Sequence, residues 1–296
     1  MDVDAFIECA LEDAVSWSEQ DDGPPRLFEA IRHSVFPGGA RVRPKLCVAV
    51  ELACRGGAPD PGAVASGGVA AAVELLHCAS LVHDDLPCFD DADTRRGKPS
   101  VHRIHGEPLA VLAGDALIVA AFEAMNDAYA RRPERAALAG PLFSIVIGAV
   151  GAPGGIIAGQ AWESERAINL RAYHRAKTAA LFVAATTAGA TCAGEDPAPW
   201  RALGVRLGEA YQIADDIRDV RADVDTVGKT TGRDAAHGRP NAVDALGLEG
   251  ACEQLNALIG DAVDAVPPCR GGDALRALVS AQAQRLSAAA AIRPVS

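Results

Sequence analysis

Apolar runs of 15 to 25 residues, rich in Ala and Leu with Glu interspersed, alternate along the chain with short Gly/Pro punctuation. That texture is the pattern of helices that bury one side. It predicts helices over roughly Asp4–Ser18, Arg41–Cys54, Gly62–His83, Pro108–Ala130, Leu142–Ile157, Arg171–Ala193, Trp200–Val220, Asn241–Val266 and Asp273–Ala291. Pro108 suits a first helical turn and Asp273 a helix start. Strand signals are few. No linker tract, low-complexity tail or fixed-period repeat interrupts the series, so a single all-α domain over residues 1–296 is expected. Charge and glycine concentrate in residues 37–43, 86–105 and 221–240, and charged loops between apolar helices are where sites tend to sit.

The stretch Ala136–Trp162 carries no charge, which raises the question of a membrane span. Its glycines and prolines leave only Leu142–Val150 unbroken, about 14 Å as a helix and half of a bilayer core. No integral membrane segment is therefore expected. Composition sharpens this: hydrophobic residues are 49% of the chain but aromatics only 4%, so the core must be Ala, Leu, Val and Ile packed closely. A net charge of −11 argues against a nucleic-acid partner, whose affinity comes from Lys and Arg on phosphates. The eight cysteines are scattered without a CxxC pair and read as reduced thiols. With the acidic N-terminus, they point to the cytoplasm.

Two acidic clusters carry the candidate chemistry. Asp84-Asp85-Leu86-Pro87-Cys88-Phe89-Asp90-Asp91-Ala92-Asp93 places five carboxylates at the end of an apolar helix. Pro87 ends the helix and lets the chain fold Asp90 back toward Asp84. Several hard oxygen ligands at one point suit Mg²⁺, which commonly shares its shell with substrate phosphates. In Tyr211-Gln212-Ile213-Ala214-Asp215-Asp216-Ile217-Arg218-Asp219, Asp215 and Asp219 share a helix face, with Asp216 about 100° around. Such clusters are expected to face one another across a bundle and hold metal between them. Cations adjoin both: Arg95, Arg96 and Lys98 after the first, Lys229 and Arg233 after the second, with Arg41 and Arg43 upstream. Arg forks and Lys point charges suit a diphosphate.

These residues resemble the trans-isoprenyl diphosphate synthases, short-chain and geranylgeranyl diphosphate synthase-like, from Gly38 to Pro240 and around it. DDLPCFDDADTRRGKPSVH is similar to the family's first aspartate-rich motif, and YQIADDIRDV with GKTTGRD to the second, about 130 residues on. GGARVRP resembles its GGKRxRP box, and Lys177-Thr178 its lysine-threonine pair. The resemblance implies a helical bundle around a deep central cavity, a homodimer, Mg²⁺, and the condensation of isopentenyl diphosphate with an allylic prenyl diphosphate. It implies Asp84, Asp85 and Asp90 as metal ligands from one side, and Asp215 with Asp216 and Asp219 from the other. Arg95, Lys177 and Lys229 would hold the allylic diphosphate, while Arg43, His77 and Arg96 would hold isopentenyl diphosphate. Gln212 and Thr178 would turn oxygen dipoles toward the developing cation. Ala40 stands where the family has lysine, which would weaken isopentenyl diphosphate binding or shift the load to Arg41. His83 reads as structural.

In that family the residue five before the first aspartate is a principal stop for the growing tail. Here it is Ala79, followed by Ser80, so no ring closes the channel at that level. Ile118 and Phe122 on the next helix are the next large candidates, and a twenty-carbon product is expected. Alternatives are a farnesyl diphosphate synthase, which differs only in product, and a non-catalytic partner subunit, which would be expected to lose aspartates. Terpene cyclases differ in their second metal motif.

Overall fold

The computed structural model describes residues 2–16, 23–36, 38–57, 64–225 and 241–290. The chain folds into two compact units, residues 1–146 with 188–195, and residues 147–187 with 196–296. Helices dominate both, and the all-α class holds. Among the described residues the one sheet is a two-stranded hairpin.

The first unit contains α1 (Val3–Ala14), α2 (Pro25–Val35), α3 (Val42–Arg55), α4 (Gly67–Asp84), the hairpin β1 (Thr94–Arg95) and β2 (Lys98–Pro99), α5 (Val101–His105) and α6 (Glu107–Met125). It also holds the start of α7 (Ala136–Val150). Helix α4 is its centre. From Val69 to Ala79 every residue but His77 is buried, the mark of a helix enclosed on all sides. Tyr129 secures the start of α4, donating to the Ala65 carbonyl at 2.7 Å and accepting from Val69 N–H at 3.1 Å.

Helix α6 lies along α4, burying Ala110, Ala113, Leu117, Ala120 and Ala121 at helical spacing. Two glycines set the register. A Cβ on Gly114 would strike the His83 ring, and one on Gly68 would strike the Ala128 Cβ. The helices are thus antiparallel. Four residues on from Gly114 is Ile118, level with Ala79; four further is Phe122, level with Leu75. His83 lies against this seam, 3.3 Å from the Val111 carbonyl.

Besides the short hairpin and α5, which fall where an irregular stretch is expected, two longer elements depart from the sequence reading. Helix α2 was not anticipated, because Pro24-Pro25 reads as punctuation; Pro25 instead occupies the first turn, where its missing N–H costs nothing. Helix α7 runs from Ala136 straight through Pro141, where Leu142–Ile157 was expected. An interior proline costs roughly 3 kcal/mol, and full burial of Leu142 and Val146 offsets it. By composition alone, Glu107–Ala130 and Pro133–Val150 are each long and apolar enough to cross a membrane. In α6 that apolar character serves the seam with α4.

The second unit holds the end of α7, α8 (Ile156–Ala161), α9 (Leu170–His174), a π turn at Arg175–Ala179, the first part of α10 (Ala180–Cys192), α11 (Arg201–Asp225), α12 (Ala242–Asp264) and α13 (Gly272–Ala290). Ala210, Ile213, Ala214 and Ile217 of α11 form a stripe against Ala251, Leu255 and Leu258 of α12 and Leu286 of α13. α12 bends at Gly247, whose φ of 71° is left-handed.

Candidate active site

The first cluster sits where α4 stops. Pro87 has no N–H to continue the helix, and the chain turns back on itself: Asp90 N–H donates to the Asp84 carbonyl at 2.9 Å and Ala92 N–H to the Asp85 carbonyl at 3.1 Å. Asp84, Asp85 and Asp90 are thereby gathered at one helix end. The hairpin follows, turning at Arg96 and Gly97, both left-handed with φ of 53° and 76°. It returns Arg95 to the cluster, where its guanidinium donates to Asp85. Asp85 is buried. That burial raises its carboxyl above the usual range although Arg95 pulls the other way, and the Arg95 guanidinium is itself raised by Asp85, Asp84 and Asp90 against its own desolvation. Asp91 and Asp93 turn elsewhere, to Arg103 at 3.0 and 2.8 Å.

Above the cluster, His77 lies among cations. Desolvation of the half-buried ring, then Arg43, Arg96, Arg95 and Arg41, hold its imidazole well below the usual value, so it is neutral. Arg96 packs on Gly39, whose missing side chain leaves room for the guanidinium, and donates to the Gly38 carbonyl. Arg41 is a correction to the sequence reading. Its side chain is 3% exposed, and it donates to Glu8 at 2.8 Å, Glu74 at 3.0 Å and the Val35 carbonyl at 2.8 Å. A guanidinium so committed cannot take over from a missing lysine, so Ala40 is not compensated from Arg41.

In the second unit the π turn presents Lys177 and Thr178. Gly159 of α8 and Gly208 of α11 press on it: a Cβ at Gly159 would lie 2.4 Å from the Lys177 backbone, and one at Gly208 2.4 Å from the Ala179 Cα. A wide turn held between two bare helix faces is a frequent device at functional sites. Lys177 donates to Glu163, which also accepts from the Tyr173 hydroxyl at 2.7 Å and Gln160 at 3.1 Å. Sequence reasoning missed Glu163, although it is the first charge after the neutral stretch Ala136–Trp162.

Thr178 Oγ1 donates to Gln212 Oε1 at 2.5 Å, and Gln212 Nε2 donates to Asp216 at 2.9 Å. Asp215 is half-exposed and pairs with Arg218, and Asp219 is exposed one turn on. Asp216 is buried and does not share their surroundings. Lys229 and Arg233 lie outside the described residues.

Among the described residues no three carboxylate, His or Cys side chains already form a metal cage. The donor set nonetheless fits magnesium: three carboxylates brought to one helix end, all hard oxygen, where the ion needs only one or two plus phosphate and water.

Residues 24–266 match the Polyprenyl synthetase family. The chain belongs to this family. Within it, the geranylgeranyl diphosphate synthase of Cereibacter sphaeroides is 49% identical over 280 residues, 95% of each chain. That of Rhodobacter capsulatus is 48% identical over 286 residues, 97% of this chain and 96% of its own. Among solved structures, the geranylgeranyl pyrophosphate synthetase of Pyrococcus horikoshii aligns with a TM-score of 0.74 at 28% identity, covering 96% of this chain and 97% of that one. The geranyltransferase of Legionella pneumophila aligns at 0.78 with 25% identity, covering 97% and 94%.

The histidines of this polyprenyl synthetase give it an acid limit. Burial holds His77, His105 and His174 below the ordinary value, aided at His105 by His33 and opposed at His174 by Asp216. Below about pH 6.5 the unfolded chain takes up protons that the native state refuses, so stability falls with pH. Asp85 acts with the opposite sign at lower pH, as its raised carboxyl protonates first in the native state. Thermal melts should show a falling Tm from pH 7 to 5, and a flat profile would refute the assignment.

Proposed function

We propose that the chain is a geranylgeranyl diphosphate synthase that condenses isopentenyl diphosphate with an allylic diphosphate. What carries the reading is near-half identity to two synthases of that name over almost their whole lengths. Purified protein given isopentenyl diphosphate with Mg²⁺ and, separately, geranyl or farnesyl diphosphate is expected to make geranylgeranyl diphosphate from both starters. A product that stops at fifteen carbons makes it a farnesyl diphosphate synthase, and inactivity alone makes it a partner subunit.

Asp84, Asp85 and Asp90, with Asp215 and Asp219, would hold magnesium. When bound, it neutralises charge on the departing diphosphate. Lys177, kept in place by Glu163, meets the allylic diphosphate, as does Arg95 once it leaves Asp85; Lys229 joins them by resemblance. Arg43, Arg96 and neutral His77 receive isopentenyl diphosphate. Ionisation leaves an allylic cation, and the Thr178 and Gln212 oxygens face it with negative dipole ends. The isopentenyl double bond attacks, and the released diphosphate takes the proton whose loss restores a double bond.

The family match over residues 24–266 supports reading 1–296 as one prenyl synthase domain. A homodimer is supported by α6, whose outer face leaves Val111, Leu112 and Val119 exposed opposite its buried face. A sedimentation mass of one chain would refute it. All eight cysteines are free thiols, in keeping with the cytoplasm.

A further inference from the structure

Asp215 and Asp216 are neighbours in sequence, and the resemblance gives both to metal. Their surroundings differ sharply. Asp216 is 3% exposed, and both of its carboxylate oxygens already accept hydrogen bonds. Oδ1 takes one from Gln212 Nε2 at 2.9 Å and Oδ2 takes one from the Ala242 N–H at 2.8 Å. The Asp216 backbone carbonyl adds a third contact, from Asn241 Nδ2 at 3.5 Å. Ala242 is the first residue of α12, and Asn241 caps the same end by accepting from Val243 N–H at 2.7 Å. A carboxylate beside those first N–H groups is well placed against the helix dipole. To ligate a metal it would have to surrender buried hydrogen bonds and leave their donors unsatisfied.

We propose that Asp216 is a positioning residue rather than a metal ligand: it fixes which way the Gln212 amide points. This inference rests on the proposed synthase function. A carboxylate can only accept, so Gln212 must turn its NH₂ toward Asp216 and its oxygen toward Thr178. Thr178 Oγ1 completes the line by donating to that oxygen. The relay Thr178–Gln212–Asp216–α12 therefore sets the sign of the dipole that the allylic cation meets. Reversed, the amide would offer positive N–H ends to a positive centre.

Asp216→Asn is the test, because it keeps the shape and removes only the obligation. The asparagine oxygen keeps the Ala242 N–H, its NH₂ now faces Gln212, and the Gln212 amide turns over. Expected is a fall in kcat of about 10²-fold with KM for both diphosphates unchanged. Half-saturation by Mg²⁺ should not move, whereas Asp215→Asn should raise it. Combining Asp216→Asn with Gln212→Met should cost no more than Gln212→Met alone, since the two act as one unit. Binding of Mn²⁺ with inorganic pyrophosphate, followed by electron paramagnetic resonance, should give the wild-type number of ions in Asp216→Asn.

Should that variant fail to fold, the unsubstituted protein still answers. The Gln212 side-chain NH₂, identified in ¹⁵N spectra by its loss in Gln212→Met, should keep its hydrogen-bonded shift when Mg²⁺ and pyrophosphate are added. A lost Mn²⁺ ion, a raised Mg²⁺ requirement in Asp216→Asn, additive variants, or a Gln212 resonance released by metal would each overturn the proposal. An inactive wild type would instead overturn the synthase reading, while the Mn²⁺ count and the NH₂ resonance would still report on the relay.

Discussion

Alanine in place of Asp84 is expected to lower turnover by about 10²–10³-fold, the scale of losing one preorganised electrostatic contact to a departing group. The fold should survive. The contact that shapes the loop uses the Asp84 backbone carbonyl, which accepts from Asp90 N–H at 2.9 Å and is untouched by the substitution. Its side chain instead belongs to a crowd of carboxylates whose mutual repulsion is relieved by Arg95. Removing one of them should leave the melting temperature level or slightly raised. Asp93→Ala is the internal control. That carboxylate is 71% exposed and paired with Arg103, so its loss costs at most about 1 kcal/mol of stability and little activity. Circular dichroism melts beside steady-state rates decide the matter. If Asp84→Ala keeps wild-type turnover, or if Asp93→Ala is equally inactive, the first cluster does not hold the leaving group as described.

The helices were legible because a long apolar run has one economical use, and α3, α4 and α6 begin and end within a few residues of expectation. The aspartate loop was legible too, since Pro87 has no N–H for a further turn and Cys88 and Phe89 after it stay exposed, with none of the burial that carries α7 through Pro141. What escaped depends on contacts between distant segments. GGARVRP offers Arg41 and Arg43 as equals, and nothing in the motif says that Glu8 and Glu74 will engage the first. Asp215 and Asp216 differ by a 100° rotation, yet which of them turns toward the start of α12 is settled only when α12 packs. The π turn under Lys177 has no signature of its own, because Gly159 and Gly208, which hold it, lie on other helices. Helix α2 is a different case. Ala30, Ile31 and Val35 announce a buried face at helical spacing, but the two prolines ahead of them carry the signal of a turn as well as that of a first helical turn.

The register of α4 against α6 turns product length into a matter of steps along a helix. Ala79 stands about 7.5 Å from Asp84 along the helix axis, Leu75 about 14 Å and Ala71 about 20 Å, at 1.5 Å per residue. Ile118 shares the level of Ala79, so a tail that passes Ala79 has passed Ile118 as well. Phe122 is then the first large side chain below, and it is not alone: its ring stacks on Phe143 of α7, centroids 6.1 Å apart and 12° from parallel. The pair itself lines a groove together with Phe6, Gly67, Gly68 and Ala71. Ala79→Phe places a ring one turn above the stop and should shift most of the product from twenty carbons to fifteen. Phe122→Ala removes half of the stacked floor and gives the tail room toward Ala71, so products beyond twenty carbons should appear. Overpacking the buried Ala79 site costs about 1–3 kcal/mol and truncating Phe122 a comparable amount, so both variants should remain folded. Chromatography of the dephosphorylated alcohols reads the result directly. Opposite shifts in the two variants would locate the floor at the Phe122–Phe143 stack; the same product from both would place it on another face of α4.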